Sequence, residues 1–225
     1  GAGAGGGTGG GGYKGTGSGV IGTLGDVAPK APEDINEASP SKYFGDMNEA
    51  PWAAKYVDAL KDAGVISGDA EGRFNPNRHI TRAEFVKMVI SSLGIDTSFK
   101  EGLPFADVTE DMWFYEYAGA AYRAGIISGV SEDLFAPNDA ITRQDIAVIL
   151  SRVAEIFEIT FDEADSVNDF ADIDLLDGYA VEAVRKIQRY GIVSGDSGGR
   201  FNGKSFATRA ETAKMIYPFV TGSVE

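Results

Sequence analysis

The chain states one pattern three times. Gly64-Val65-Ile66-Ser67-Gly68 returns as Gly125-Ile126-Ile127-Ser128-Gly129 and as Gly191-Ile192-Val193-Ser194-Gly195, at offsets of 61 and then 66 residues. Each copy then passes through a turn to Thr-Arg: Thr81-Arg82, Thr142-Arg143 and Thr208-Arg209. A period this long is one supersecondary unit, and stacked units bury a core that none could bury alone. Function is therefore expected once per copy, or at the seams between copies.

The repeats exclude residues 1–42. Fourteen of the first 25 residues are Gly, and Val27 to Pro40 is rich in Pro, Ala and acids. Such a segment cannot bury enough apolar surface to offset its ordering entropy. It reads either as a flexible linker or as an assembly arm, with Val20-Ile21-Gly22-Thr23-Leu24 adding as a strand to a neighbour's edge. The chain opens at Gly1 with neither Met nor a secretory signal, and so reads as a processed product or an excised fragment. The repeats span about 43–94, 104–156 and 169–221, making one domain over 43–221.

Within each copy the signals alternate between helix and turn. Each copy opens with Phe-x-Asp: Phe44-Gly45-Asp46, Phe105-Ala106-Asp107 and Phe170-Ala171-Asp172. Helical spacing follows in Ala53, Tyr56, Val57 and Leu60, in Tyr117, Ala118 and Ala121, and in Val184 and Ile187. Gly64, Gly125 and Gly191 suit the left-handed position that ends a helix. Next comes a loop whose Phe (Phe74, Phe135, Phe201) is expected to plug the core. Thr81-Arg82-Ala83-Glu84 and Thr208-Arg209-Ala210-Glu211 have the form of a capping box, while Thr142-Arg143-Gln144-Asp145 carries the shorter Asp, which makes its return bond less certain. Three apolar second helices follow, with Pro218 stopping the last near Ile216. The expected fold is mostly α, with the second helices in a central three-helix bundle.

Composition narrows the chemistry. The absence of cysteine excludes disulfides, thiolate metal sites and a cysteine nucleophile. The net charge is −14 and no Lys/Arg cluster stands out, which argues against nucleic-acid binding. No apolar run approaches the roughly 18 residues of a membrane span. The only histidine, His79, has no metal-ligand partner and reads as a turn residue. Asp69-Ala70-Glu71-Gly72 fails as a calcium loop, and the Gly-rich start lacks the Lys-Ser/Thr of a phosphate loop. No catalytic set, metal site or cofactor is expected.

The Arg after each capping Thr is the informative oddity. A cation at the positive end of a helix dipole is unfavourable by up to ~1 kcal/mol. Three occurrences suggest an offsetting gain. Either each Arg pairs with a structural carboxylate such as the Asp of Phe-x-Asp, or Arg and the free helix-end N–H groups together grip an external anion. Trp52 and Trp113 stand eight residues into copies one and two, and Tyr179 takes that place in copy three. They offer either a face for a sugar ring or half-buried packing.

Taken jointly, Phe-x-Asp, Trp, Gly-Ile/Val-Ile-Ser-Gly, Phe-x-Pro-Asn and Ile-Thr-Arg-Ala-Glu resemble the S-layer homology repeat, in three copies over about residues 43–221. The resemblance implies a three-pronged pseudo-trimer with grooves between the prongs. It implies non-catalytic, non-covalent anchoring of a bacterial surface protein to secondary cell-wall polysaccharide, through an anionic sugar bearing a pyruvate ketal. It also implies that Arg82, Arg143 and Arg209 face the grooves with Gly68, Gly129, Gly195, Asp69, Asp196, Trp52 and Trp113. Copy two departs from the pattern at Val130 and Asp145, and copy three at Tyr179, Gly203-Lys204 and Ala207. The site built around Arg82 therefore ranks first. The alternative role is a structural subunit of a surface lattice or fibre, self-assembling through residues 1–25.

Overall fold

The computed structural model describes residues 40–98, 102–164 and 167–220. The Gly-rich arm lies outside the described residues apart from its last three, and so does the assembly reading placed on it. Ser41 and the Lys42 N–H both donate to Asp58, at 2.5 and 2.8 Å. The described residues before 43 are thus fastened to the first helix of copy one.

Each copy folds as expected into two helices around a turn. The first helices are α1 (Ala54–Asp62), α3 (Tyr115–Arg123) and α5 (Val181–Arg189). The second helices are α2 (Arg82–Ser92), α4 (Arg143–Ile156) and α6 (Arg209–Ile216). Gly64, Gly125 and Gly191 stand at φ of +72°, +74° and +68° just past the first helices, where a side chain would be strained. Complete capping boxes form at Thr81–Glu84 and Thr208–Glu211. At Thr142 the shorter Asp145 accepts from the Thr hydroxyl (2.7 Å) in place of the backbone return bond. The helix α6 stops at Ile216, and Pro218 lies in the 3-10 turn Tyr217–Phe219 that follows.

The Phe-x-Asp motif explains itself here. Asp46, Asp107 and Asp172 each accept two backbone N–H bonds from their own loop, at residues 74–75, 135–136 and 201–202, over 2.6–3.0 Å. The motif Phe stacks beside the loop Phe at 5.2–5.7 Å between ring centres. Phe74, Phe135 and Phe201 are essentially fully buried, as core plugs should be. The second N–H of each pair belongs to a residue at positive φ: Asn75, Ala136 and Asn202, at +59°, +56° and +57°. Asn tolerates that conformation and Ala does not. Ala136→Gly is therefore expected to stabilise the chain by about 0.5–1 kcal/mol in urea unfolding.

The copies are locked together cyclically. Ile80 N–H donates to the Ala207 carbonyl, Ala207 N–H to Ile141 and Ile141 N–H back to Ile80, each at 3.1 Å. Isolated β-bridges flank this triangle, and no strand forms among the described residues. The second helices start from its corners, with α2 also against α6. Each first helix packs on a second helix of another copy: α3 on α2, α5 on α4 and α1 on α6. One hydrophobic core runs through all three copies.

Candidate functional site

Every second helix aims its Arg into the next copy. The Nε of Arg82 donates to the Phe135 carbonyl (2.9 Å), that of Arg143 to Phe201 (2.9 Å) and that of Arg209 to Phe74 (2.8 Å). Each guanidinium lies 4.6–5.4 Å from the centre of the same Phe ring. The Phe-x-Asp carboxylates are not their partners, because those carboxylates are spent on loop N–H groups. Arg143 pairs instead with Glu211 (2.8 Å) and Arg209 with Glu84 (3.6 Å), each the capping-box Glu of the copy entered. Among the described residues no carboxylate stands within ion-pairing distance of Arg82. The equivalent residue, Asp145, is one methylene shorter and already bound to Thr142 and Tyr179.

The helix-end N–H groups expected to stay free are occupied. Arg82 and Ala83 donate to the Asp139 and Pro137 carbonyls, Arg143 and Gln144 to Ser205 and Gly203, and Arg209 and Ala210 to Arg78 and Pro76, all at 2.8–3.0 Å. The capping Thr hydroxyl takes the third. Inter-copy docking thus consumes the backbone donors, because a helix start buried against a neighbour must satisfy them there. The helix-end N–H groups are therefore not what holds an anion in a groove.

Each described groove draws on all three copies. One encloses about 190 Å³ and combines Ser67-Gly68-Asp69 of copy one, Trp113 of copy two and Arg209 of copy three. Another, of about 420 Å³, combines Ser194-Gly195-Asp196 of copy three, Trp52 of copy one and Arg143 of copy two. The larger lies in the size range of small-molecule clefts, and the smaller is below it. Arg82 does not join Gly68, Asp69 and Trp52. It enters copy two, where the Phe135 loop carries Gly129 and Val130, and where Tyr179 of copy three reaches Asp145. Ranking the Arg82 site first had set the departures of copy two against Arg143. The handover between copies moves them to Arg82.

Trp52 and Trp113 are 48% and 59% exposed, so they are free faces at the groove rims and not core packing. Basic side chains gather beneath them. Arg73, Arg78, Lys87 and Arg209 outnumber Asp69 and Glu84 in the smaller groove, and Arg143, Arg200 and Lys214 outnumber Asp196 and Glu211 in the larger. On a chain of net charge −14 these are local reversals of the field. Burial pulls the Arg209 guanidinium below its ordinary value, but an arginine remains charged. Sequence reasoning missed Arg73, Arg78, Lys87, Arg200 and Lys214. Counting equal offsets back and forward from each capping Thr would have found all but Arg78, whose counterparts are Asp139 and Ser205.

Asp69 and Asp196 work as loop braces. Each accepts backbone N–H bonds across its own turn and a bond from the Asn at positive φ, and each pairs with the Arg four residues on. The Arg73 backbone N–H, then the Asn75 amide, hold the Asp69 carboxyl down to about 2, and Arg200 and Asn202 depress Asp196 likewise. A depressed folded-state value contributes stability that is complete above the ordinary carboxylate range and is lost as pH falls through about 2. Between pH 4 and 2, amide exchange at Asp69 and Asp196 should therefore quicken relative to Val130. All three N–H groups close the same turn (onto Arg73, Arg200 and Leu134), but copy two has no carboxylate there.

Among the described residues no acidic or histidine cluster could hold a metal ion, and no helix is long and apolar enough to cross a membrane. What the fold and grooves define is a surface-binding module: basic, aromatic-rimmed clefts on a rigid pseudo-trimer. The S-layer homology domain model matches residues 43–86, 104–147 and 169–213, and the chain belongs to that family, the cell-wall-associated anchoring module of bacterial surface proteins. It is similar to an endoglucanase of Bacillus sp. (strain KSM-635), 32% identical over 84% of this chain and 20% of that protein. It is also similar to the surface-layer 125 kDa protein of Lysinibacillus sphaericus, 36% identical over 72% of this chain and 13% of that protein. The S-layer protein sap of Bacillus anthracis is 29% identical over 80% of this chain and 21% of that protein. The chain thus spans about a fifth or less of these relatives' lengths, and the shared part is the S-layer homology region.

Proposed function

We propose that this chain is a non-catalytic glycan-binding module that anchors its protein to an anionic secondary cell-wall polysaccharide, through sugars bearing a pyruvate ketal. One observation carries the reading: an exposed Trp from one copy overhangs basic side chains from the other two, on an otherwise acidic chain. A pyruvate ketal puts a carboxylate on the rim of a sugar ring. Such a ligand needs a cation for the carboxylate and an aromatic face for the ring's C–H surface. In the grooves both are present, and packing fixes the geometry of the cation. Arg143 and Arg209 are held by bonds to loop carbonyls and by the Phe rings beneath them.

The Trp residues give the cleanest test, because their exposure makes folding insensitive to them. Trp52→Ala and Trp113→Ala should each weaken retention on purified walls by about tenfold, at unchanged unfolding free energy. Walls stripped of pyruvate ketals should retain the unaltered chain poorly. Equal retention on stripped and native walls would refute the anionic-sugar reading.

A further inference from the structure

The two described grooves are alike, and the third seam is built differently. Counted from the capping Thr, Arg73 and Arg200 correspond to Leu134, Lys87 and Lys214 to Val148, and Arg78 to Asp139. The cations that make the other grooves basic are thus absent from copy two, and an acid has been added. Of the cations common to the grooves Arg82 remains, 8% exposed, while Arg152, which the other copies lack, is held on the Ile126 carbonyl (2.9 Å). The carboxylates of Asp145 and Asp139 act on it through space.

The rim of this seam is also filled. Tyr179, in the place of the Trp, is 62% exposed but anchored at its hydroxyl. Its hydroxyl donates to Asp145 (2.7 Å) and accepts from the Gln144 amide (3.0 Å). Gln144, standing where the other copies have Ala83 and Ala210, is buried and also donates to Asp177 (2.6 Å). Asp177 returns its backbone N–H to Gln144 (3.2 Å) and receives Lys204 (2.9 Å). Each of these side chains is spent on another, and together they tie copy two to copy three where a ligand would enter.

We propose that the Arg82 seam is closed to the anionic ligand, with Asp145, Tyr179 and Gln144 as the residues that exclude it, so that the chain carries two glycan-binding grooves, at Arg143 and Arg209. This rests on the function proposed above and deepens it. The reason is electrostatic as well as steric. An incoming carboxylate would meet a guanidinium already under the field of Asp145, Asp139 and Asp107, with Lys204 and Arg152 engaged by Asp177 and the Ile126 carbonyl. Sequence symmetry promises three sites, and the offsets from Thr142 remove one.

Isothermal titration of the full chain tests it, with the methyl glycoside of a pyruvate-ketal amino sugar as probe. The expected stoichiometry is two. The Trp52→Ala/Trp113→Ala double variant, altered only at exposed residues, should retain no site of the unaltered affinity, each being weakened about tenfold. Three equivalents on the unaltered chain, or one equivalent retained by the double variant at the unaltered affinity, would overturn the proposal. If the unaltered chain takes up no probe, the glycan reading itself fails, and closure of the seam is then decided without ligand. Burial, then the bond to Asp145, push the Tyr179 phenol up to about 12. NMR titration, assigned against Tyr179→Phe, should show that high value fall in Asp145→Asn. An ordinary tyrosine value in the unaltered chain would overturn closure.

Discussion

Gly129→Ala is expected to destabilise the chain by about 3 kcal/mol, from a left-handed backbone that disfavours any side chain and a methyl group with nowhere to go. The φ there is +83°, and an added Cβ would sit 2.5 Å from the Ser131 carbonyl oxygen, 2.6 Å from that of Leu134 and 2.7 Å from the Phe105 ring. Two of those neighbours are backbone, which cannot swing aside. Gly64 separates the two contributions. It has nearly the same backbone conformation, at φ +72°, but nothing within 4 Å of its added Cβ. Gly64→Ala should therefore cost only about 1 kcal/mol. Urea unfolding of the two variants side by side measures the difference, and equal losses would show that the close approach at Gly129 is not what demands glycine. The comparison also fixes a role. The Ser-Gly step of copy two is needed to close its loop, whether or not a ligand ever reaches it.

Arg82→Ala is expected to cost about 2–3 kcal/mol, the range for losing a charge-assisted hydrogen bond and leaving its buried acceptor unsatisfied. Arg82 ties copy one to the Phe135 carbonyl of copy two and covers the Phe135 ring. Lysine should not rescue it, since a point ammonium lacks both the Nε donor and the flat face that stacks. Arg209→Ala breaks the equivalent clasp on Phe74 and leaves Glu84 to Arg78 and the Thr81 N–H. Its stability loss should be similar, and it should lose wall binding besides. An Arg82→Lys variant as stable as the unaltered chain would reduce the clasp to simple charge.

Much of this protein was legible because its signals are local. The C′ glycines, the capping boxes, the loop Phe plugs and the stop at Pro218 each depend on residues within one or two turns. The structure places all of them where the sequence did. The Glu-to-Asp change at position 145 was legible as a weaker cap, and the structure shows the return bond replaced by one from the Thr142 hydroxyl. Eight of the residues that line the two described grooves were among those named from sequence, but their grouping was not. The Arg82 site was ranked first because copies two and three carry the departures from the pattern, and helix-end N–H groups were counted as free because nothing nearby in sequence fills them.

What the sequence determined by itself was the unit: two helices, a braced loop and a cation at the second helix's start, written three times. What only the tertiary structure decided was how the units exchange parts. The closed triangle of Ile80, Ile141 and Ala207 sends each Arg into the following copy and seats each first helix on a different copy's second helix. Local propensity carries no information about that handover, because it is set by which buried donors and apolar faces remain unsatisfied once each unit has formed. The same closure gives each described groove a loop from one copy, an aromatic from a second and an arginine from the third.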